Sequence, residues 1–262
     1  MFLGFAISAF RMQLAYRAQV WALLFGVGLD VFARISIWRA VYGDAASVNG
    51  VTLPEMMTYA MFAAALFNGW DSTQLVRDIG DAIRSGDVAS QLLRPYAYPA
   101  ALFAQQVGAR LFFQLVVGLP VIVVMGLAYG IEPPASLGHG LLFIGYFAVS
   151  VVILMLIGIV FGLLAFWVLD AHSLEWFMRG FLAVMSGWLV PLWFFPPGFA
   201  EIARLQPFAW IAFHPLAAYL GQMELTEAGL MLLLGLFWVA VLAWLIAFIW
   251  SRTCDRLIVQ GG

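Results

Sequence analysis

Residues 77–95, RDIGDAIRSGDVASQLLRP, form a short charged island, punctuated by Gly and Pro, between two long apolar segments. The rest of the 262-residue chain is far less polar. Of all residues, 65% are hydrophobic and only 10% are charged, and the mean hydropathy is +0.99. Soluble domains of this length carry roughly 25% charged residues. The composition therefore predicts an integral membrane protein, and the island is the part best suited to meet a soluble partner.

Charge and residue usage exclude several functions. The net charge is −2, which leaves no basic footprint for nucleic acid. The single cysteine, Cys254, permits neither an intramolecular disulfide nor a cysteine-based metal site. The chain contains no lysine, so a P-loop and a Schiff-base lysine are both excluded. We therefore expect that the chain is not an enzyme and that it binds no cofactor or metal itself.

Apolar stretches of at least about 20 residues, the length needed to cross a bilayer, recur along the chain. They predict an all-α membrane protein with six transmembrane spans, at residues 20–41, 52–76, 100–129, 137–169, 176–195 and 228–250. Residues 1–18 carry apolar side chains at helical spacing, which predicts an amphipathic interfacial helix. Residues 198–222 are too broken by proline to span, but are long enough to dip into the bilayer and return. The whole chain, 1–262, is predicted to form a single transmembrane domain.

Two features inside the spans predict local geometry. Pro120 should kink the third span. Gly158 and Gly162 have the spacing of a close helix–helix contact in the fourth span.

The arginines set the orientation, because they accumulate on the cytoplasmic side of membrane proteins. With the N-terminus inside, the cytoplasmic arginines are Arg11, Arg17, Arg77, Arg84, Arg94, Arg179, Arg252 and Arg256. Only Arg39 and Arg204 then lie near the outer face. Both termini and the island are therefore predicted to be cytoplasmic. The aromatic residues between Trp188 and Trp210 are predicted to lie at the outer interface.

The island itself predicts two short amphipathic helices. Ile79 and Ile83, at i,i+4, give the first an apolar stripe that could lie flat under the bilayer. Gly86 can stop that helix in the left-handed conformation, and Asp87 can cap a second one over residues 88–93. Val88 and Leu92, again at i,i+4, give the second helix an apolar stripe as well. A solvated connector is the alternative interpretation, but a connector does not need two apolar stripes.

The same residues resemble a known family. Ile83-Arg84-Ser85-Gly86-Asp87, followed by Leu92-Leu93-Arg94-Pro95, is similar to the intracellular loop of ABC-2 type transporter permeases. The order of elements over the whole chain resembles that family too, from the interfacial helix to the broken segment before the last span. Residues 191–215 are similar to the re-entrant helices of the family.

The resemblance implies a permease that exports an amphipathic small molecule, drug or lipid-like substrate from the bacterial cytoplasm. It implies that two separate ATP-binding subunits, with ATP and Mg on them, drive a pair of permeases made of two copies or two homologues. Coupling to the ATPase would lie at Ile83 to Asp87 and Leu92 to Pro95. The loop at residues 170–179 is a second, less supported contact.

Ionisable groups at membrane depth are functional candidates by default. Asp30 and Arg34, at i,i+4 in the first span, can form an ion pair that either braces a protein interface or lines the substrate path. Asp71 and Arg110 could pair between the second and third spans, where bracing of the island is the favoured role. His139, His172 and His214 are far apart in the sequence, so a metal site is not expected.

Two other classes of protein are weighed against a permease. An intramembrane enzyme would need a catalytic dyad or a metal motif, and neither HExxH nor Gly-x-Ser-x-Gly occurs. A secondary transporter driven by an ion gradient would use acidic residues near the midplane, for which Asp30 is the candidate. The sequence shows no convincing internal repeat of the kind that such transporters carry.

Overall fold

The structure is a computed structural model that describes residues 2–15, 17–68, 72–85, 97–168 and 171–260. Over these ranges the chain is helical apart from connecting turns and one hairpin of two-residue strands, β1 (Ser47–Val48) and β2 (Val51–Thr52). The helices are α1 Phe2–Ala15, α2 Arg17–Tyr42, α3 Leu53–Phe62, α4 Ser72–Arg84, α5 Tyr98–Phe113, α6 Leu119–Tyr129, α7 Leu137–Leu164, α8 Ala171–Met185, α9 Pro197–Leu205, α10 Phe213–Tyr219 and α11 Leu225–Gln260. Two π-helical stretches, Ala63–Asn68 and Gln114–Gly118, follow α3 and α5. The 3₁₀ turns are Leu192–Phe194 and Pro207–Trp210.

Four helical segments among the described residues are long and apolar enough to cross a membrane: Ala18–Tyr42, Tyr98–Tyr129, Leu137–Leu164 and Leu225–Thr253. They correspond to the predicted first, third, fourth and sixth spans, with ends that differ by a few residues. The chain is thus an all-helical, multi-pass membrane protein. The second of these segments joins α5 to α6 through the widened π-helical turn, which lies directly before Pro120.

Two helical segments lie within the predicted second span, 52–76. α3 and its π-helical continuation extend from Leu53 to Asn68, and the next described helix, α4, starts at Ser72. Residues 69–71 lie outside the described part of the chain, so a single second span stays a prediction. Arg77 lies inside α4 and not at the start of a loop.

The helix in the region of the predicted fifth span, 176–195, has different ends from those predicted. α8 begins at Ala171, so most of the predicted loop at 170–179 is helical. It ends at Met185 after 15 residues, because Gly187 adopts a φ of +77° and Pro191 follows. A 3₁₀ turn at Leu192–Phe194 replaces the expected end of the span.

Helix α7 lies at the centre of the fold and packs against α4, α8, α10 and α11. The prolines of the predicted broken segment divide it into α9, a 3₁₀ turn and α10. Hydrogen bonds fix this segment to α7 and α11: Ser150 Oγ donates to the Ile211 carbonyl at 2.6 Å, and Trp210 Nε1 donates to the Met231 carbonyl at 3.0 Å. Residues Ala209 to Ala218 are all buried. The broken segment is therefore part of the core and not a surface loop.

A second core forms where α2 and α3 pack together against α5, α6 and α10. Helix α1 lies along α5, and the two backbones approach closely at Gly108. A Cβ atom there would come 2.0 Å from the Ala6 carbonyl oxygen, so only glycine permits this contact. Phe10 and Phe112 pack edge to face beside it, with ring centroids 5.6 Å apart. The predicted interfacial helix is thus anchored to a spanning helix.

Candidate functional site

Helix α4 presents its apolar face to the protein interior. Leu75, Val76 and Ile79 are buried, with Ile79 fully inaccessible, whereas Asp78 and Asp81 are exposed on the opposite face. Ile79 enters a niche in α7 that Gly162 creates, because a Cβ at that glycine would lie 2.3 Å from Ile79 Cδ1. The predicted close contact at Gly162 is therefore present, and its partner is α4.

An ion-pair cluster joins α4 to α8 around one buried carboxylate. Glu175 on α8 has a side chain only 4% exposed. Arg77 Nε on α4 lies 3.1 Å from Glu175 Oε2, and Arg179 Nη2 lies 3.5 Å from Oε1. His172 Nδ1 is 3.7 Å from Oε2 and adds charge only when protonated. A buried carboxylate is costly unless it is paired, so this cluster holds the two helices in one relative position.

The sequence did not predict Glu175, although a pattern that points to it was present. His172 and Arg179 lie at i−3 and i+4 from Glu175, the spacing of side chains that meet on one helical face. The prediction of a loop at 170–179 left out this helical spacing, because the spacing has meaning only in a helix. The contact with Arg77 joins residues that are far apart in the sequence, and no local pattern predicts it.

The predicted coupling residues lie at the end of α4 and beyond it. The backbone of Ile83 and Arg84 belongs to the last turn of α4, and Ser85 Oγ donates to the Ala82 carbonyl at 3.3 Å. Arg84 and Ser85 are exposed. The side chain of Ile83 lies outside the described part of the chain, as do Gly86, Asp87, Leu92, Leu93, Arg94 and Pro95. The predicted stripe of Ile79 and Ile83 requires correction, since Ile79 packs inside the protein and is not available to a partner.

The predicted pair in the first span is present. Arg34 Nε lies 2.9 Å from Asp30 Oδ1, and Arg34 Nη1 donates to the Trp188 carbonyl at 2.6 Å. The guanidinium also stacks over the Trp188 ring, 4.7 Å from its centroid. Nearby, the Tyr59 hydroxyl donates to the Gly187 carbonyl at 2.7 Å. Arg34 therefore anchors the turn after α8 to α2, a contact that no sequence pattern indicates.

Arg110 lies at the junction of the two π-helical stretches. It is 2% exposed and donates a hydrogen bond to the Leu66 carbonyl, which also accepts from Gln114 Nε2 at 2.7 Å. A π-helical turn leaves carbonyls without their usual α-helical partners, and these two side chains supply donors. The predicted partner, Asp71, lies outside the described residues. Arg110 thus braces the first π-helical stretch at the Leu66 carbonyl.

Each histidine has a local hydrogen-bonding partner. The ring of His139 lies 2.8 Å from Ser136 Oγ and 3.1 Å from the Met223 carbonyl, and His172 Nε2 accepts from Trp176 Nε1 at 2.9 Å. His214 Nε2 lies 2.8 Å from the Arg204 carbonyl, so this nitrogen carries the proton. Within the described ranges, no group of three or more His, Cys, Asp or Glu side chains could hold a metal ion.

Comparison with known proteins agrees with the architecture. A family model described as "ABC-2 family transporter protein" matches residues 29–261, which is most of the chain. No curated protein and no solved structure matches it. The match runs from the middle of α2 to the end of α11, so it includes both the α4–α8 ion-pair cluster and the broken segment. The chain therefore belongs to the ABC-2 family of transporter proteins and is a permease of an ABC transporter.

Proposed function

We propose that this permease exports an amphipathic small molecule, drug or lipid-like substrate across the bacterial cytoplasmic membrane, driven by two separate ATP-binding subunits. These subunits would carry the ATP and Mg, and the complex would contain a second permease, either a copy or a homologue. The observation that supports the proposal is the tight packing of α4 against α7 and α8. This helix leads directly into the residues that resemble the family's coupling loop.

The tight packing of α4 matters because a coupling helix must pass its displacement on to the helices that it contacts. Ile79 fills the niche at Gly162, and the Arg77–Glu175 ion pair ties α4 to α8. A push on the exposed end of α4, at Arg84 and Ser85, would therefore move α7 and α8 as one body. Helix α7 in turn contacts α10 and α11, so the displacement would reach the broken segment.

The proposed topology has six crossings with both termini in the cytoplasm. Arginine placement supports this orientation. Besides the four long segments, α3 with its π-helical continuation and α8 with the turns that follow it would provide one crossing each. The broken segment would then lie at the outer face as a re-entrant element, where Trp188, Trp193 and Phe194 form an aromatic cluster beside α2.

The substrate path would run between two permeases and open near this cluster. Asp30 supports that placement, because its side chain is 36% exposed while its partner Arg34 is buried. A partly exposed carboxylate on a spanning helix is favoured where that exposed part meets another subunit or a water-filled path.

The test places a charge at Ile83, in the segment that is proposed to contact the ATP-binding subunit. Ile83→Asp should abolish co-purification of the ATP-binding subunit, or substrate-stimulated ATP hydrolysis, while membrane insertion and assembly persist. Gly86→Val should do the same if Gly86 adopts the left-handed conformation that β-branched residues resist.

The matched control is Ser136→Asp on the opposite side of the membrane. Ser136 caps α7 by accepting from the His139 amide, and Asp can keep that cap, so the variant should retain both activities. If Ile83→Asp retains full ATPase binding and full transport, the segment is only a connector and the coupling role is wrong.

An ion-gradient-driven transporter is the alternative. The family match favours ATP as the energy source, and the Asp30 carboxylate is engaged with Arg34. Transport in vesicles distinguishes the two. Export that persists with an uncoupler and stops without ATP supports the ABC mechanism, and the reverse result supports the gradient.

A further inference from the structure

A cavity of about 490 Å³ lies between α1, α2, α4 and α5. Its wall contains amide side chains from three helices, Gln13, Gln19, Gln105 and Gln106, together with Ser8 and Asp78. Its floor is apolar and buried, formed by Leu75, Phe112 and Phe113. Four glutamines in one cavity are unusual in a chain with so few polar residues, and the coupling interpretation does not use them.

The lining specifies the chemistry of a ligand. Glutamine amides donate and accept hydrogen bonds and carry no charge, so they suit hydroxyl and N–H groups. Among the described residues that line the cavity none is basic, and Asp78 adds a carboxylate that disfavours an anion. The apolar side chains of Phe112 and Phe113, which also line the cavity, suit the apolar carbons next to such a head.

The position of the cavity specifies where the ligand comes from. Gln19 lies two residues after the start of α2, and Gln105 lies in the second turn of α5, so both are near the ends of spanning segments. Trp21 and Phe25, just beyond Gln19, are 73% and 74% exposed and face away from the protein. A ligand with its head in the cavity could therefore keep an apolar tail in the bilayer.

We propose that this cavity binds the head of a membrane amphiphile that is rich in hydroxyl or N–H groups and carries no negative charge. Its cytoplasmic placement rests on the proposed function, which it deepens by naming the class of ligand. Leu75 and Asp78 belong to α4, so an occupant touches the proposed coupling helix directly. Binding of a ligand in the cavity would therefore affect α4, the helix that is proposed to contact the ATPase.

The experiment measures protection of a cysteine in the cavity. Cys254 is the only native cysteine, so Cys254→Ser with Ala109→Cys gives a single reporter among the lining residues. The full chain, in phosphatidylcholine nanodiscs without ATPase, is treated with a soluble maleimide. Three probes are compared: monododecanoyl glycerol, glycerol alone, and dodecanoic acid. Because no ATPase is present, the result is independent of whether α4 couples to one.

Monododecanoyl glycerol should slow the modification of the cysteine at position 109 about tenfold, and the other two probes should not. Changing Gln105 and Gln106 to Leu together should raise the concentration needed for half protection about tenfold, since two hydrogen bonds are lost. The control variant Gln222→Leu, on an exposed position outside the cavity, should leave that concentration unchanged. A cysteine at Ala46 should react equally fast with and without every probe.

Several results would overturn the proposal. Equal protection by dodecanoic acid would mean that the cavity does not distinguish a hydroxyl-rich head from a carboxylate. Equal protection by glycerol would mean a site for a soluble solute and not for a membrane amphiphile. A cysteine at position 109 that does not react, protection by none of the probes, or an unchanged response after the glutamine substitutions would also contradict it.

Discussion

The niche at Gly162 offers the sharpest test of how α4 is held. Replacing Gly162 with Ala adds one methyl group, whose carbon would lie 2.3 Å from Ile79 Cδ1 and 3.2 Å from both Cβ and Cγ1. Ile79 is fully buried, so its side chain has no solvent to move into. The conflict with Cδ1 must therefore be relieved inside the packed core, either by a less favourable rotamer of Ile79 or by a shift of α4 away from α7.

The expected size follows from overpacking. Forcing an extra methyl group into a packed core costs about 1–3 kcal/mol. Ile79→Val removes Cδ1 and alone costs about 0.5–1.5 kcal/mol through the lost contacts. In the double variant the added methyl occupies the space that Cδ1 vacated. We therefore expect the double variant to be more stable than the sum of the two single changes, by about 1 kcal/mol or more.

The assay is a double-mutant cycle in the intact complex. Thermal stability is measured in detergent, and substrate-stimulated ATP hydrolysis is measured in the same preparations. Gly162→Ala should lower both, and Ile79→Val should restore a large part of each. Gly180→Ala on α8 is the matched control, because no atom lies within 4 Å of its added carbon. Alanine favours a helix over glycine, so this control should be neutral or slightly stabilising.

Strictly additive losses would refute the reasoning, because they would mean that Ile79 and Gly162 do not share one space. A loss of stability without a loss of stimulated hydrolysis would be equally informative. That result would support the contact between Ile79 and Gly162 and would contradict a role of α4 in coupling.

Three further predictions concern other parts of the molecule. Asp30→Asn should lower thermal stability by about 1–3 kcal/mol, and more than the double change with Arg34→Gln, because it leaves a buried cation unpaired. Glu175→Gln should reduce substrate-stimulated ATP hydrolysis without preventing assembly, since it removes the charge that ties α4 to α8, as a steady-state ATPase assay would detect. In a background without the native cysteine, a cysteine at Ala46 should react with an impermeant maleimide in intact cells, and one at Ser90 should not.

The controls for these tests are equally specific. Glu201→Gln changes an exposed carboxylate on α9 and should leave hydrolysis unaltered. A rescue of Asp30→Asn by Arg34→Gln should be incomplete, because Arg34 also holds the Trp188 carbonyl. No rescue at all would mean that the ion pair is energetically unimportant. Labelling of the Ser90 cysteine from outside would reverse the orientation and reject a cytoplasmic coupling segment.

The long apolar helices could be predicted from sequence because their signal is local and strong. A run of about 20 apolar residues identifies a span whatever it packs against. The ends of α8 differ from those predicted, because hydropathy continues beyond the C-terminal end of that helix. A hydropathy window does not detect the positive φ of Gly187, which is a backbone feature inside apolar sequence.

The candidate site was predictable only in part, for a different physical reason. The Asp30–Arg34 pair lies on one helical turn, so spacing alone indicates it. The Arg77–Glu175 contact and the bond from Arg34 to Trp188 depend on how distant helices pack, which no local pattern contains. The apolar stripe that contains Ile79 shows how much an amphipathic pattern can predict. An apolar face predicts burial but does not say whether the covering surface is a membrane, a partner or the chain's own α7.

The π-helical stretch between α5 and α6 has a consequence for the outer surface of that span. Five exposed aliphatic residues follow one another at intervals of four: Leu111, Leu115, Leu119, Val123 and Leu127. In an uninterrupted α-helix each such step overshoots one turn by about 40°, so the row would drift about 160° around the axis. The one residue that a π-helical turn inserts removes about 100° of that drift. The row therefore stays close to a straight ridge along the helix, and the surface it offers to lipid is a line and not a spiral.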